Sequence, residues 1–66
     1  MRLFALTELG RRAAQTSGGR SDEMRVLQYL YENRTATDET LEHVVDGAGS
    51  ICRSLKRRNL VRELTS

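Results

Sequence analysis

The chain has few of the residue types on which catalytic and metal-binding sites depend. Its 66 residues include one cysteine, Cys52, and one histidine, His43. A single cysteine excludes an internal disulfide bond, and one cysteine with one histidine does not make a metal-ligand cluster. The glycines do not form a phosphate-binding loop of the Gly-x-x-x-x-Gly-Lys-Ser/Thr type. We therefore expect neither an enzyme nor a cofactor, and we interpret Cys52 as a small core residue and His43 as a surface residue.

Long apolar segments are also missing. No stretch approaches the roughly 20 residues that a membrane span needs, and residues 1–6 are too short for the apolar core of a signal peptide. With 38% hydrophobic and 30% charged residues, the composition is that of a folded soluble domain. We expect a cytoplasmic protein of one small domain, whose core leaves about 3–5 kcal/mol of net stability and little room for a catalytic pocket.

Capping residues and apolar spacing predict four helices and two strands within one domain, residues 1–66. Thr7 and Ser21 are typical N-cap residues, and either Thr35 or Thr37 can cap the third helix. Gly10 indicates close packing against another backbone, or mere tolerance of glycine. The predicted elements are a strand at 1–6, helices at 8–15, 22–33, 38–45 and 48–58, a strand at 60–64, and a loop at 16–19.

The apolar residues of the middle helices predict which faces point to the core. In helix 22–33 we expect Tyr31 to face the core and Tyr29 to face solvent, where it could stack on a partner or support a dimer. In helix 38–45 the inward residues are Leu41, Val44 and Val45. The outer face of that helix is acidic, and we interpret its carboxylates as solvated groups that stabilise helix dipoles.

Residues 50–61 have the pattern of an amphipathic helix that leads into a strand. At about 100° per residue, the helix has one apolar side and one polar side. The apolar side comprises Ala48, Ile51, Cys52 and Leu55, and the opposite side comprises Ser50, Arg53, Ser54 and Arg57. Five cations lie within ten residues: Arg53, Lys56, Arg57, Arg58 and Arg62. This pattern is typical of a helix that contacts DNA, and the alternative is the solvated face of a structural helix.

Residues 24–64 resemble the winged helix-turn-helix superfamily. The matching parts are an apolar first helix, Thr37 with Leu41, the turn Asp46-Gly47, and the phrase Leu55-Lys56-Arg57-Arg58-Asn59-Leu60-Val61. In that phrase Asn59 can adopt a positive φ that ends the helix. The phrase Leu6-Thr7-Glu8-Leu9-Gly10-Arg11 is similar to the junction after the second wing strand in regulators of the multidrug-response and phenolic-acid-repressor type. Here it precedes the helices, so the order is rotated.

The resemblance implies a mostly α fold with a small β element. It comprises a winged-helix-like three-helix core and a two-stranded antiparallel sheet formed by the N- and C-terminal strands. We expect residues 2–6 to pair with residues 60–64. A two-stranded sheet needs helices packed against it, because on its own it is marginally stable in water.

The same resemblance implies a protein that binds double-stranded DNA, a transcriptional regulator and plausibly a homodimer. The 48–58 helix would lie in the major groove, with Arg53 and Arg57 at base edges. Ser50 and Ser54 would allow close approach, and the expected phosphate contacts are Lys56, Arg58 and Arg62. The alternative is a winged-helix module that binds another protein through its acidic helix or an exposed strand edge.

Overall fold

A computed structural model describes residues 2–16 and 21–64. The elements in chain order are β1 (Leu3–Leu6), α1 (Glu8–Thr16), α2 (Asp22–Asn33), β2 (Thr35–Thr37), α3 (Asp38–Val44), α4 (Ala48–Arg57) and β3 (Val61–Leu64). Four helices and a small antiparallel sheet confirm the predicted class, mostly α with a small β element. Residue 1 of the predicted first strand and residues 17–19 of the predicted loop lie outside the described residues.

The sheet has the predicted pairing of the first and last strands and adds a third strand. The strand order is β2-β1-β3, with both pairings antiparallel. Strands β1 and β3 pair from Leu3 opposite Leu64 to Leu6 opposite Val61. Strand β2 was not predicted from the sequence, because it has only three residues and lies directly between two helices. Its last residue, Thr37, is also the N-cap of α3.

The helices begin at the predicted capping residues. The Thr7 hydroxyl accepts a hydrogen bond from the amide of Gly10 at 3.0 Å. Ser21 accepts from the amide of Met24 at 3.3 Å, and Thr37 fills the same role for α3. Helix α2 has the predicted bounds, and each of the other helices ends within one residue of its prediction. Within the described ranges, no helix combines the length and the apolar character needed to cross a membrane.

The core lies between the inner face of the sheet and the helices. Helix α2 contributes Val26, Leu27 and Leu30, and helix α4 contributes Ala48, Cys52 and Leu55. The inner face of the sheet contributes Phe4, Ala36 and Val61, which are buried. Helix α4 is therefore packed along one whole side, and its opposite side faces solvent.

The predicted orientations of three residues are wrong. Tyr31 is 40% exposed, whereas Tyr29 is partly buried and packs against the core. Both tyrosines lie about 100° from the centre of the buried stripe of α2 and on opposite borders of it, so helical spacing alone does not rank them. Val44, predicted to face inward, is 38% exposed. The chain leaves the helix at Val45, which turns inward in an extended conformation and takes the buried position.

Gly10 packs against the backbone that follows α4, which is the first of the two interpretations predicted from the sequence. A β-carbon at this position would overlap the carbonyl oxygen of Leu60 and approach the carbonyl carbon of Leu60 to 2.9 Å. The amide of Thr7 donates to the same carbonyl oxygen at 3.1 Å, and the Thr7 hydroxyl donates to the carbonyl oxygen of Asn59 at 2.6 Å. The start of α1 and the end of α4 therefore form one tight junction.

Candidate nucleic-acid interface

The outward face of α4 carries four of the seven predicted DNA-binding residues. Ser50, Arg53, Ser54 and Arg57 are all exposed. These four residues alone line a shallow concavity of about 200 Å³. The buried side of the helix holds Ala48, Cys52 and Leu55, so the predicted division of α4 into an apolar and a polar side is confirmed. We call the four exposed residues the α4 face.

A carboxylate from α3 holds the N-terminus of α4. The two carboxylate oxygens of Glu42 accept hydrogen bonds from the amide of Gly49 at 2.8 Å and the amide of Gly47 at 3.3 Å. Gly47 has the left-handed φ of 76° that lets the chain turn into the helix. An anion is favourable at a helix N-terminus, and Glu42 supplies one from within the chain. External phosphate is therefore not expected at this end of α4.

The C-terminus of α4 is closed by hydrogen bonds of the Schellman type. The amide of Leu60 donates to the carbonyl oxygen of Leu55 at 2.9 Å, and the amide of Asn59 donates to that of Lys56 at 3.1 Å. Asn59 has the predicted positive φ, 62°. Leu55 and Leu60 are both buried, which supplies the apolar contact typical of the motif. Both ends of α4 are thus fixed by specific hydrogen bonds.

Cys52 lies in the middle of α4 and is fully buried, as the sequence predicted. The pKa of its thiol is raised from 9.0 to about 11, mainly by burial and in smaller part by the nearby carboxylates of Asp38 and Glu42. The thiolate is the reactive form of cysteine, so this residue is a packing group rather than a nucleophile. His43 is exposed, as expected.

Two of the predicted phosphate-binding residues make ion pairs within the chain. Lys56 pairs with Glu63 of β3 at 3.5 Å, and Arg58 pairs with Glu23 of α2 at 2.5 Å. All four side chains are at least partly exposed, so each pair contributes little to stability and can be exchanged for a phosphate. By contrast, Arg53 and Arg57 make no ion pair with any residue of the described ranges.

Arg62 lies apart from the other predicted DNA-binding residues. It is exposed on the outer face of the sheet, because Val61 before it points into the core and side chains alternate along a strand. Arg62 lines a separate cleft of about 710 Å³ together with Arg11 and Arg34. We call this cavity the arginine cleft.

Three residues of these two regions were not predicted from the sequence. Glu42 is five residues before Gly47, and no local motif indicates that its carboxylate reaches the next helix. Arg11 and Arg34 lie in different elements far apart in the chain, and only the folded sheet brings them to one cleft with Arg62.

Within residues 2–16 and 21–64, no three side chains of His, Cys, Asp or Glu are grouped so that they could hold a metal ion. Comparison of the chain with models of known protein families, with curated proteins and with solved structures finds no significant match in any of the three.

Proposed function

We propose that the protein binds double-stranded DNA through the α4 face and acts as a transcriptional regulator. The observation that carries the proposal is the concavity lined by Ser50, Arg53, Ser54 and Arg57. Two arginines that make no ion pair within residues 2–16 and 21–64 stand one turn apart there, and the two serines between and beside them leave room for a groove edge. Arginine binds the O6 and N7 atoms of guanine through two hydrogen bonds, so each of the two arginines is suited to one guanine.

The expected phosphate contacts are the cations that lie beside the α4 face. Lys56 and Arg58 flank it and would exchange their exposed carboxylate partners for phosphates, which supply affinity without sequence information. Arg62 faces the arginine cleft and has no part in this proposal. The fixed ends of α4 support it, because a rigid helix loses little conformational freedom when it binds.

The arrangement of elements agrees with a winged-helix-like protein, which we include in the proposal. Helices α2, α3 and α4 precede β3, and β3 pairs with the N-terminal strand β1. One short helix offers little contact area, so a homodimer that reads two half-sites is the expected active form. We include a cytoplasmic location in the proposal.

A salt-dependent titration against mixed-sequence double-stranded DNA tests the proposal. Fluorescence anisotropy of a labelled duplex should report affinity that falls steeply with salt, with a logarithmic slope of about −0.9 per neutralised phosphate. Arg57→Ala should weaken binding by about 1–3 kcal/mol and relax any sequence preference. Arg12→Ala is the matched control, since Arg12 is an exposed arginine on α1 outside the α4 face. Absence of binding at low salt, or equal losses in both variants, would reject the proposal.

The alternative is a module that binds another protein, and one observation favours it. The exposed side chain of Val44 lines a shallow groove of about 310 Å³ with Met24 and Tyr29, beside the acidic helix α3. A partner held by these apolar groups would bind almost independently of salt. The same titration therefore separates the two functions, because only binding to DNA should show the steep salt dependence.

A further inference from the structure

A small residue of the central strand, Ala5, lines the arginine cleft. Ala5 of β1 pairs with Thr35 on one side and with Arg62 on the other, so these three residues form one row across the outer face. The methyl group of Ala5 is shorter than the side chains beside it. A depression is therefore expected between Thr35 and Arg62, and the cleft includes all three residues.

The cleft has an excess of positive charge. Arg11 of α1, Arg34 after α2 and Arg62 of β3 line it, against one carboxylate, that of Glu32. None of the three arginines makes an ion pair with a residue of the described ranges. Guanidinium groups bind phosphate and carboxylate through paired hydrogen bonds, so three of them around one depression are suited to an oxyanion.

The cleft also has an apolar part and a fixed hydroxyl group. Leu6 and Leu30 line it beside Tyr31. The Tyr31 hydroxyl accepts a hydrogen bond from the side-chain amide of Gln15 at 3.1 Å, so its own hydrogen remains free to be donated to a ligand.

The backbone at Arg34 is strained where it enters the cleft. Its dihedral angles, φ 69° and ψ −52°, lie near those of the classic γ-turn, which is rare for residues other than glycine. Strained residues of this kind are concentrated at binding sites. An arginine at a position that glycine would fill without strain is consistent with a role for its side chain.

We propose that the arginine cleft binds a small organic anion, a phosphate or carboxylate group attached to an apolar body about the size of one ring. The oxyanion would lie among Arg11, Arg34 and Arg62, and the apolar body would contact Leu6 and the ring of Tyr31. The cavity volume of about 710 Å³ lies in the range of small-molecule sites. The cleft is lined by none of the residues of the α4 face, so this site is independent of DNA binding.

Titration of the protein with phenyl phosphate, followed by two-dimensional NMR of the backbone amides, tests the proposal. The largest shifts should occur at Ala5 and Thr35. Arg11→Gln, Arg34→Gln and Arg62→Gln should each weaken binding about five- to tenfold, because each removes one charge-assisted contact. Arg12→Gln, the neighbour of Arg11 on the exposed side of α1, should bind as the native protein does. A parallel titration with benzoate shows whether phosphate or carboxylate is preferred.

Three results would overturn the proposal. One is the absence of saturable shifts at Ala5 and Thr35, and another is an equal loss of binding in Arg12→Gln and the three cleft variants. The third is an Arg62→Gln variant that loses as much affinity for DNA as Arg57→Ala, which would make the cleft a second DNA contact. Inorganic phosphate should bind more weakly than phenyl phosphate, and equal affinity would contradict the role of the apolar body.

Discussion

Replacing Gly10 by alanine tests whether tertiary packing or local helix preference determines the stability at this position. In a helix interior, alanine is more favourable than glycine by about 1 kcal/mol. Local preference alone therefore predicts that Gly10→Ala stabilises α1. The structure predicts the opposite, because the added methyl group would overlap the carbonyl oxygen of Leu60 and reach within 3.2 Å of Leu6 Cδ2.

The expected loss in the free energy of unfolding depends on which atoms the added methyl group must displace. The obstructing atoms belong to the backbone of Leu60, which is held by two hydrogen bonds. Its amide donates to the carbonyl oxygen of Leu55 at 2.9 Å, and its carbonyl oxygen accepts from the amide of Thr7 at 3.1 Å. Overpacking of this kind costs typically about 1–3 kcal/mol, and rigid backbone places it at the upper end. After the gain in helix preference, we expect a net loss of about 2 kcal/mol. That is roughly half the stability of so small a domain.

Urea unfolding followed by circular dichroism measures this difference directly, and the melting temperature should fall by at least about 8 °C. The pair Arg12→Gly and Arg12→Ala is the control, because Arg12 is exposed on the same helix. In that pair the alanine variant should be the more stable by about 1 kcal/mol. A Gly10→Ala protein at least as stable as the native chain would refute the tight junction between α1 and the end of α4.

Three further predictions concern single side chains. The Cys52 thiol should resist Ellman's reagent at pH 8 until urea unfolds the chain. Because the pKa of the thiol is about 11 in the folded chain and near 9.0 when exposed, the free energy of unfolding should fall as the pH rises from 9 towards 11. A Cys52→Ala variant should lack this fall. Glu42→Ala should lower the free energy of unfolding by about 1 kcal/mol through loss of the α4 cap, whereas Glu39→Ala on the exposed side of α3 should change it little. Arg34→Gly should raise stability by about 1 kcal/mol in urea unfolding, and Arg34→Ala, which keeps the strain, should not.

The helices could be predicted because their signals are local or repeated, whereas the pairing of the terminal strands was predicted from the resemblance to winged helices and its rotated order. Ser21 and Thr37 are capping residues next to apolar stripes, and both caps form as expected. Strand β2 could not be predicted in the same way, since three residues give no alternation to detect. The orientations of Tyr29 and Tyr31 were predicted wrongly for a different reason: both lie at the border of the buried stripe of α2, so helical spacing does not rank them.

The candidate sites differ in the same way: residues of one element could be predicted, and residues brought together from several elements could not. The α4 face could be predicted because its residues recur at helical spacing within one element. Arg62 was grouped with that face because it is near in sequence, yet alternation along β3 directs it to the other side of the sheet. The arginine cleft joins three elements, and its residues become neighbours only through the register of β1 with β3.

The N-terminal segment connects both candidate sites. Ala5 lines the arginine cleft, and two residues further along Thr7 holds the backbone at the end of α4. The phrase Leu6-Thr7-Glu8-Leu9-Gly10-Arg11 therefore has a structural reason to precede the helices: it fixes the sheet and α4 relative to each other. Because the junction lies at the end of α4, a change at Gly10 should disturb the α4 face as well as α1. DNA affinity measured on the folded fraction of Gly10→Ala should accordingly fall, whereas Arg12→Ala should leave it unchanged.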